Sequence, residues 1–151
     1  MELFFKEKLK EFIFEHLDNR ILASEKAVKA AQDSANGESK SSAGDKYETG
    51  RAMAQNDRDM YAMQLHQAKG ERNMLEKIRF EEETKIIRPG ALTETSMGWF
   101  MIAISIGVAT IDQQKIMIIS PQSPIGEVLM GKSEGDSFSF RDKTFKIISV
   151  S

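Results

Sequence analysis

The sequence predicts an α+β chain. An N-terminal antiparallel helical hairpin, a coiled coil over residues 1–80, precedes a small antiparallel β-sheet domain with one short helix over 88–151. Three observations lead there. Charge is concentrated early: residues 1–87 hold 15 basic and 17 acidic side chains, whereas 88–151 hold 6 of each. Apolar residues in the first half recur every three or four positions, the period of an amphipathic helix. After Arg88-Pro89-Gly90 that period gives way to short runs of aromatic and β-branched residues with turn signals between them.

The first helix is read from Leu9, Ile13, Leu17, Ile21, Val28 and Ala31, and the second from Met53, Met60, Met63, Gly70, Met74 and Ile78. Between them Asn36-Gly37 opens a stretch of small polar residues that ends at Gly44. Asn-Gly suits a left-handed helix stop, and so short a connection favours antiparallel packing. The tip of the hairpin therefore falls at about 37–48. An arm of roughly 30 residues reaches about 45 Å at ~1.5 Å per residue. The methionines of the second arm read as adaptable filling of the seam. His16 and His66, at nearly mirrored distances from the turn, read as facing surface or seam residues, since two histidines without a third ligand make a poor zinc site.

In the second half, Trp99 to Val108, Lys115 to Ile119, Ser137 to Phe140 and Thr144 to Val150 read as strands. Ser123-Pro124-Ile125-Gly126-Glu127-Val128-Leu129-Met130-Gly131 carries Ser at a helix N-cap, Pro at the first helical position and Gly past the end, which places one short helix among the strands. Arg141-Asp142-Lys143 is a tight connection between the last two strands.

Composition narrows the function classes. The 21 basic and 23 acidic residues give a formal charge of −2, which argues against wrapping a nucleic-acid backbone. With no Cys there is no thiolate zinc site and no cysteine nucleophile. The longest apolar run, Gly98 to Ala109, is too short to span a bilayer, and no signal-peptide core opens the chain. The expectation is a cytoplasmic protein without membrane contact.

Two separated motifs then carry a resemblance. Gly44-Asp45-Lys46-Tyr47-Glu48 matches the Gly-Asp-x-x-Glu opening of the second coiled-coil helix in the Gre factors, the GreA/GreB family of bacterial transcript-cleavage elongation factors. Ser123-Pro124-Ile125, Leu129, Gly131-Lys132 and Asp136 follow that family's C-terminal pattern in order and spacing. The resemblance implies an FKBP-like C-terminal domain that docks at the rim of the RNA polymerase secondary channel, through Gln122, Ser123, Pro124 and Ile125. It also implies a coiled coil inserted into that channel. The factor itself is then non-catalytic and probes the RNA 3′ end indirectly; no cofactor of its own is expected, and Mg²⁺ is held jointly with the polymerase by Asp45 and Glu48. A monomer is expected.

Read physically, Asp45 and Glu48 lie three apart at a helix start, so their Cβ atoms share one face about 5–6 Å apart. Mg²⁺ takes octahedral oxygen ligands and is typically held by one or two carboxylates plus phosphates and water, so the pair supplies part of a two-metal hydrolytic site. The same spacing is a capping box, in which both acids satisfy backbone donors of the first turn. Lys40, Lys46 and Arg51 surround the tip, where they could meet RNA phosphates or polymerase acids or be solvated charges. Tyr47 could stack on a base or pack against the turn. Lys46-Tyr47 and Gly50-Arg51 depart from the family pattern, which opens a second reading: a Gre-like secondary-channel regulator that inhibits or retunes transcription without cleavage. The FKBP-like sheet alone suggests a third, a prolyl isomerase or chaperone, although some 63 residues leave little for a deep apolar pocket. A structural helical dimer is a fourth.

Overall fold

A computed structural model describes residues 2–38 and 44–151, with side chains described for 4–37 and 48–151. Two long helices come first, α1 (Glu2–Glu38) and α2 (Gly44–Glu76). Six strands and one short helix follow: β1 (Leu92–Thr95), β2 (Gly98–Ile102), β3 (Gly107–Ile111), β4 (Gln114–Ile119), α3 (Pro124–Leu129), β5 (Ser137–Phe140) and β6 (Lys143–Val150). The chain divides into two compact units. One is Glu15–Asn73; the other joins Met1–Phe14 to Met74–Ser151.

Within the helical unit α1 and α2 run antiparallel. Arg72 Nε donates to Asp18 Oδ1 at 2.8 Å, Arg20 pairs with Glu71, and Arg58 Nη1 donates to Gln32 Oε1 at 3.0 Å. As the α1 partner advances by fourteen residues, from Asp18 to Gln32, the α2 partner retreats by fourteen, from Arg72 to Arg58, which fixes the register. The seam between them is built from Leu17, Ala31, Ala35, Ala54 and Ala68, all buried, with Tyr61 and Leu65 half-buried. In α2 the inward residues Ala54, Arg58, Tyr61, Leu65, Ala68, Arg72 and Leu75 alternate steps of four and three, a coiled-coil period.

The expected methionine stripe of α2 is thus not the seam. Met53, Met60, Met63 and Met74 are all exposed, Met63 at 74%, whereas Ala68 is fully buried. Alanine lets the two backbones approach closely, and a long thioether at those positions would push them apart. The expected facing of His16 and His66 also fails. In the observed register the α1 residue opposite His66 lies near position 24, so His16 is about eight residues, roughly 12 Å, further along the axis. Both histidines are exposed.

In the other unit the bases of the helices pack with the sheet. Leu9, Ile13, Leu75 and Phe80 are buried there, together with Leu92, Met101, Ile116 and Ile118. Lys8 Nζ reaches both carboxylate oxygens of Asp112 in the β3–β4 turn, at 3.1 and 2.8 Å, and Lys10 Nζ lies 2.5 Å from Glu81 Oε1. A second cluster holds Phe100, Ile102, Phe138 and Ile147 of the sheet against Leu129 of α3.

The strand order is β3-β4-β2-β1-β6-β5. Every pairing is antiparallel except β2 with β4, which is parallel from Trp99 opposite Ile116 to Ile102 opposite Ile119. The sheet is thus mostly antiparallel, as expected, and the cause of its one parallel pair is local. The run Trp99 to Val108 is not one strand: it bends through Ala103, Ile104 and Ser105 and restarts at Gly107, which has φ +105°. The chain thus moves outward to β3 and comes back as β4 beside β2, through a turn at Asp112-Gln113 in which both residues have positive φ. The β5–β6 turn at Arg141-Asp142 has the same backbone form.

Candidate functional site

Two regions were singled out by the sequence, the start of α2 and the loop before α3, and a third emerges only in three dimensions. At the first, Asp45 and Glu48 both fall in the opening turn of α2, since the helix begins at Gly44. Glu48 and Thr49 are exposed, and so is Arg51. The side chains of Asp45, Lys46 and Tyr47 lie outside the described residues, as does Lys40 altogether. The helical backbone alone carries the spacing: residues three apart in an α-helix present neighbouring Cβ atoms. Among the described residues no group of three or more His, Asp or Glu is gathered as a metal site. A pair of carboxylates in one helical turn offers two of the ligands that Mg²⁺ takes, leaving the remaining coordination positions to water or phosphate.

The second region is a tightly wired loop. Ser123 is the N-cap of α3: its Oγ accepts from Gly126 N at 3.1 Å and donates to the Ser120 carbonyl at 2.7 Å. Pro124 occupies the first helical position, where its missing N–H costs nothing. Ser120 Oγ donates to Gln122 Oε1 at 2.7 Å and accepts from Gln122 N at 3.0 Å. Gln122 and Pro124 are exposed, and Ser123 and Ile125 half-buried, Ile125 leaning on the core around Leu129. All four expected docking residues lie on one short segment, with Ile125 anchored, Ser123 engaged in the cap, and Gln122 and Pro124 displayed.

The remaining motif residues have structural duties. Gly131, at φ +82°, donates its N–H to the Ile87 carbonyl at 2.9 Å, and Ile87 N donates to the Lys132 carbonyl at 2.8 Å. Asp136 Oδ2 accepts from Ser133 N at 2.8 Å, while its carbonyl accepts from Ile147 N. Gly131, Lys132 and Asp136 therefore stitch the segment after α3 to the Ile87 backbone and to β6.

A groove of about 420 Å³ was not visible in the sequence. Its floor is apolar, from Met74, Ile78, Pro89 and Ile104, and Pro121 closes the side next to the Gln122–Ile125 loop. Glu82 holds two guanidiniums at its rim: Oε1 accepts from Arg79 Nη1 at 2.9 Å and Oε2 from Arg88 Nη2 at 3.2 Å. Gly90, with φ +92°, makes the floor possible, because a Cβ there would sit 2.8 Å from Ile78 Cγ2. The groove draws on three stretches distant in sequence, so no motif or periodicity marks it. At Glu81 nearby, the hydrogen bond from Lys10 holds the carboxyl below its usual range.

No helix among the described residues is long and apolar enough to cross a membrane. Compared with known proteins, residues 106–151 match the family described as transcription elongation factor, GreA/GreB, C-term. No curated protein matches the chain.

Proposed function

We propose that the chain, whose residues 106–151 match the GreA/GreB family of transcription elongation factors, binds RNA polymerase and stimulates cleavage of backtracked RNA by that enzyme. The loop from Gln122 to Ile125 docks at the rim of the secondary channel, and the α1–α2 hairpin enters the channel. Asp45 and Glu48 then lend carboxylate oxygens to a Mg²⁺ that the polymerase also holds, so that a water is positioned for attack on the RNA phosphodiester. The polymerase remains the catalyst. The observation that carries this reading is the family match in the sheet domain preceded by two antiparallel helices, the second of which opens on Asp45-x-x-Glu48 with Glu48 exposed.

Arg51 favours a second reading. It is exposed one turn beyond Asp45 and Glu48, where it weakens the negative field that would draw a divalent cation. On this reading the protein occupies the channel and retunes transcription without cleavage. One experiment separates the two. A halted, backtracked polymerase complex is given the intact chain or the Asp45→Ala/Glu48→Ala variant, and RNA shortening is followed on a gel. Faster cleavage with the intact chain that the variant loses supports the first reading. Equal cleavage with both, combined with altered transcript yield, supports the second.

A further inference from the structure

The groove beside the docking loop has a chemistry that selects its occupant. Lys77, Arg79 and Arg88 stand around it with Glu82 as the sole carboxylate, and the floor between them is apolar. Glu82 is shared by both arginines, which fixes their spacing and leaves a surplus of positive charge at the rim. Arg79 remains largely exposed, its side chain at 77%, so even while bonded to Glu82 its guanidinium still faces outward. Small-molecule sites enclose most of their ligand. Here the charged heads lie at an open rim, a geometry suited to a protein segment laid across the surface.

We infer that this groove receives an acidic segment of RNA polymerase that carries one large apolar side chain, the side chain seated on Met74, Ile78 and Ile104 and the acids facing Arg79 and Arg88. Charge complementarity names the occupant. Continuity adds to it, because Pro121 lines the groove and Gln122 to Ile125 follow directly, so a segment on the proposed docking loop passes into the groove without a gap. Gly90 is part of the device: its missing Cβ leaves the space into which Ile78 settles to form the floor. The inference rests on the polymerase docking proposed above and extends it to residues outside the family-matched segment.

The test measures binding of the full chain to RNA polymerase by fluorescence anisotropy at low and high salt. Arg79→Glu/Arg88→Glu should weaken binding on the order of tenfold at low salt, with the difference shrinking as salt screens it. Met74→Ser, at an exposed position, should weaken binding severalfold with little salt dependence. Arg79→Gln/Arg88→Gln serves if the charge reversal disturbs folding, and should show a smaller loss in the same direction. If the intact chain binds and these variants bind within twofold of it, the groove inference is overturned, while loss on Gln122→Ala, at an exposed loop position, would leave loop docking in place. If the intact chain does not bind polymerase, both the docking reading and this inference fall. Displacement of the polymerase by a free RNA oligonucleotide competing for the groove would reassign it to nucleic acid and overturn the inference as well.

Discussion

Ser123 and Gly126 form a closed unit at the head of α3: the serine Oγ takes the glycine N–H at 3.1 Å, and the glycine has no room for a side chain. A Cβ on residue 126 would stand 2.1 Å from the Ser120 carbonyl oxygen and 2.8 Å from Ser123 Oγ. The first obstacle is backbone and cannot swing aside. Gly126→Ala should therefore destabilise the sheet unit by about 2–3 kcal/mol, whereas Ser123→Ala, which loses only the cap, should cost about 1 kcal/mol. The fluorescence of Trp99, the chain's single tryptophan, lies in β2 and reports the denaturant midpoint of that unit. Equal losses for the two variants would show that the cap alone holds the loop.

The register of the hairpin gives a second test. Ala68 is fully buried in the seam and Met63 is exposed on the opposite side of α2. Ala68→Leu should overpack the seam and cost about 1–3 kcal/mol, while Met63→Gln should stay within about 0.5 kcal/mol. Helical circular dichroism during thermal melting distinguishes them. A larger loss for Met63→Gln would restore the methionine stripe as the seam.

That contrast shows where the sequence was legible. In α1 the large aliphatics Leu9, Ile13 and Leu17 mark the inner face by themselves, and all three are buried. In α2 the inner face mixes Ala54 and Ala68 with Tyr61, Leu65, Leu75 and two arginines, a weak apolar signal, while the flexible methionines outside gave a stronger false one. The cap at Ser123 and the turn at Arg141-Asp142 were readable because each is a local device. The parallel pairing of β2 with β4 was not, since it depends on a bend at Ala103 to Ser105 that returns the chain to a particular neighbour. Nor was the groove, whose arginines meet at Glu82 only after folding. Of the tip residues, Asp45 and Glu48 fall within the first turn of α2, as their spacing requires.

The β3–β4 turn is strained in a way that can be relieved. Asp112 and Gln113 both have positive φ, 51° and 69°, the form of a type I′ turn that favours glycine at its second position. Gln113→Gly removes the Cβ penalty and leaves the Asp112 carboxylate with Lys8. It should stabilise the sheet unit by about 0.5–1 kcal/mol. Gln113→Val, which adds a β-branched side chain to the same backbone, should destabilise. Thermal melting followed by Trp99 fluorescence reads both.

Glu81 supplies the pH dependence that the structure resolves. Its carboxyl is held below the usual 4.5, first by the hydrogen bond from Lys10 and then by its own backbone. The folded state therefore binds this proton less readily than the unfolded chain, so the pair contributes stability above about pH 4.5 that is lost as acid protonates the folded carboxyl. Both side chains are substantially exposed, which keeps the contribution small. Lys10→Gln should raise the Glu81 titration midpoint toward the ordinary value, as read by carbon NMR of the side-chain carboxyl. An unchanged midpoint would remove Lys10 as the cause.

Arg51 offers the sharpest test of the tip. It stands three residues after Glu48 on α2, close enough for its guanidinium to compete with a cation for the same field. If the proposed Mg²⁺ is shared by Asp45 and Glu48, then Arg51→Glu deepens the negative potential there. A gain of about 0.3–1 kcal/mol in cation attraction corresponds to a two- to fivefold rise in stimulated RNA cleavage at limiting Mg²⁺. That rise should vanish at saturating Mg²⁺, because the metal then fills the site with either residue. The position is exposed, so stability should change by less than about 0.5 kcal/mol. Cleavage that falls with Arg51→Glu, at unchanged polymerase affinity, would assign the arginine to contact with RNA or the channel wall and would place the metal elsewhere.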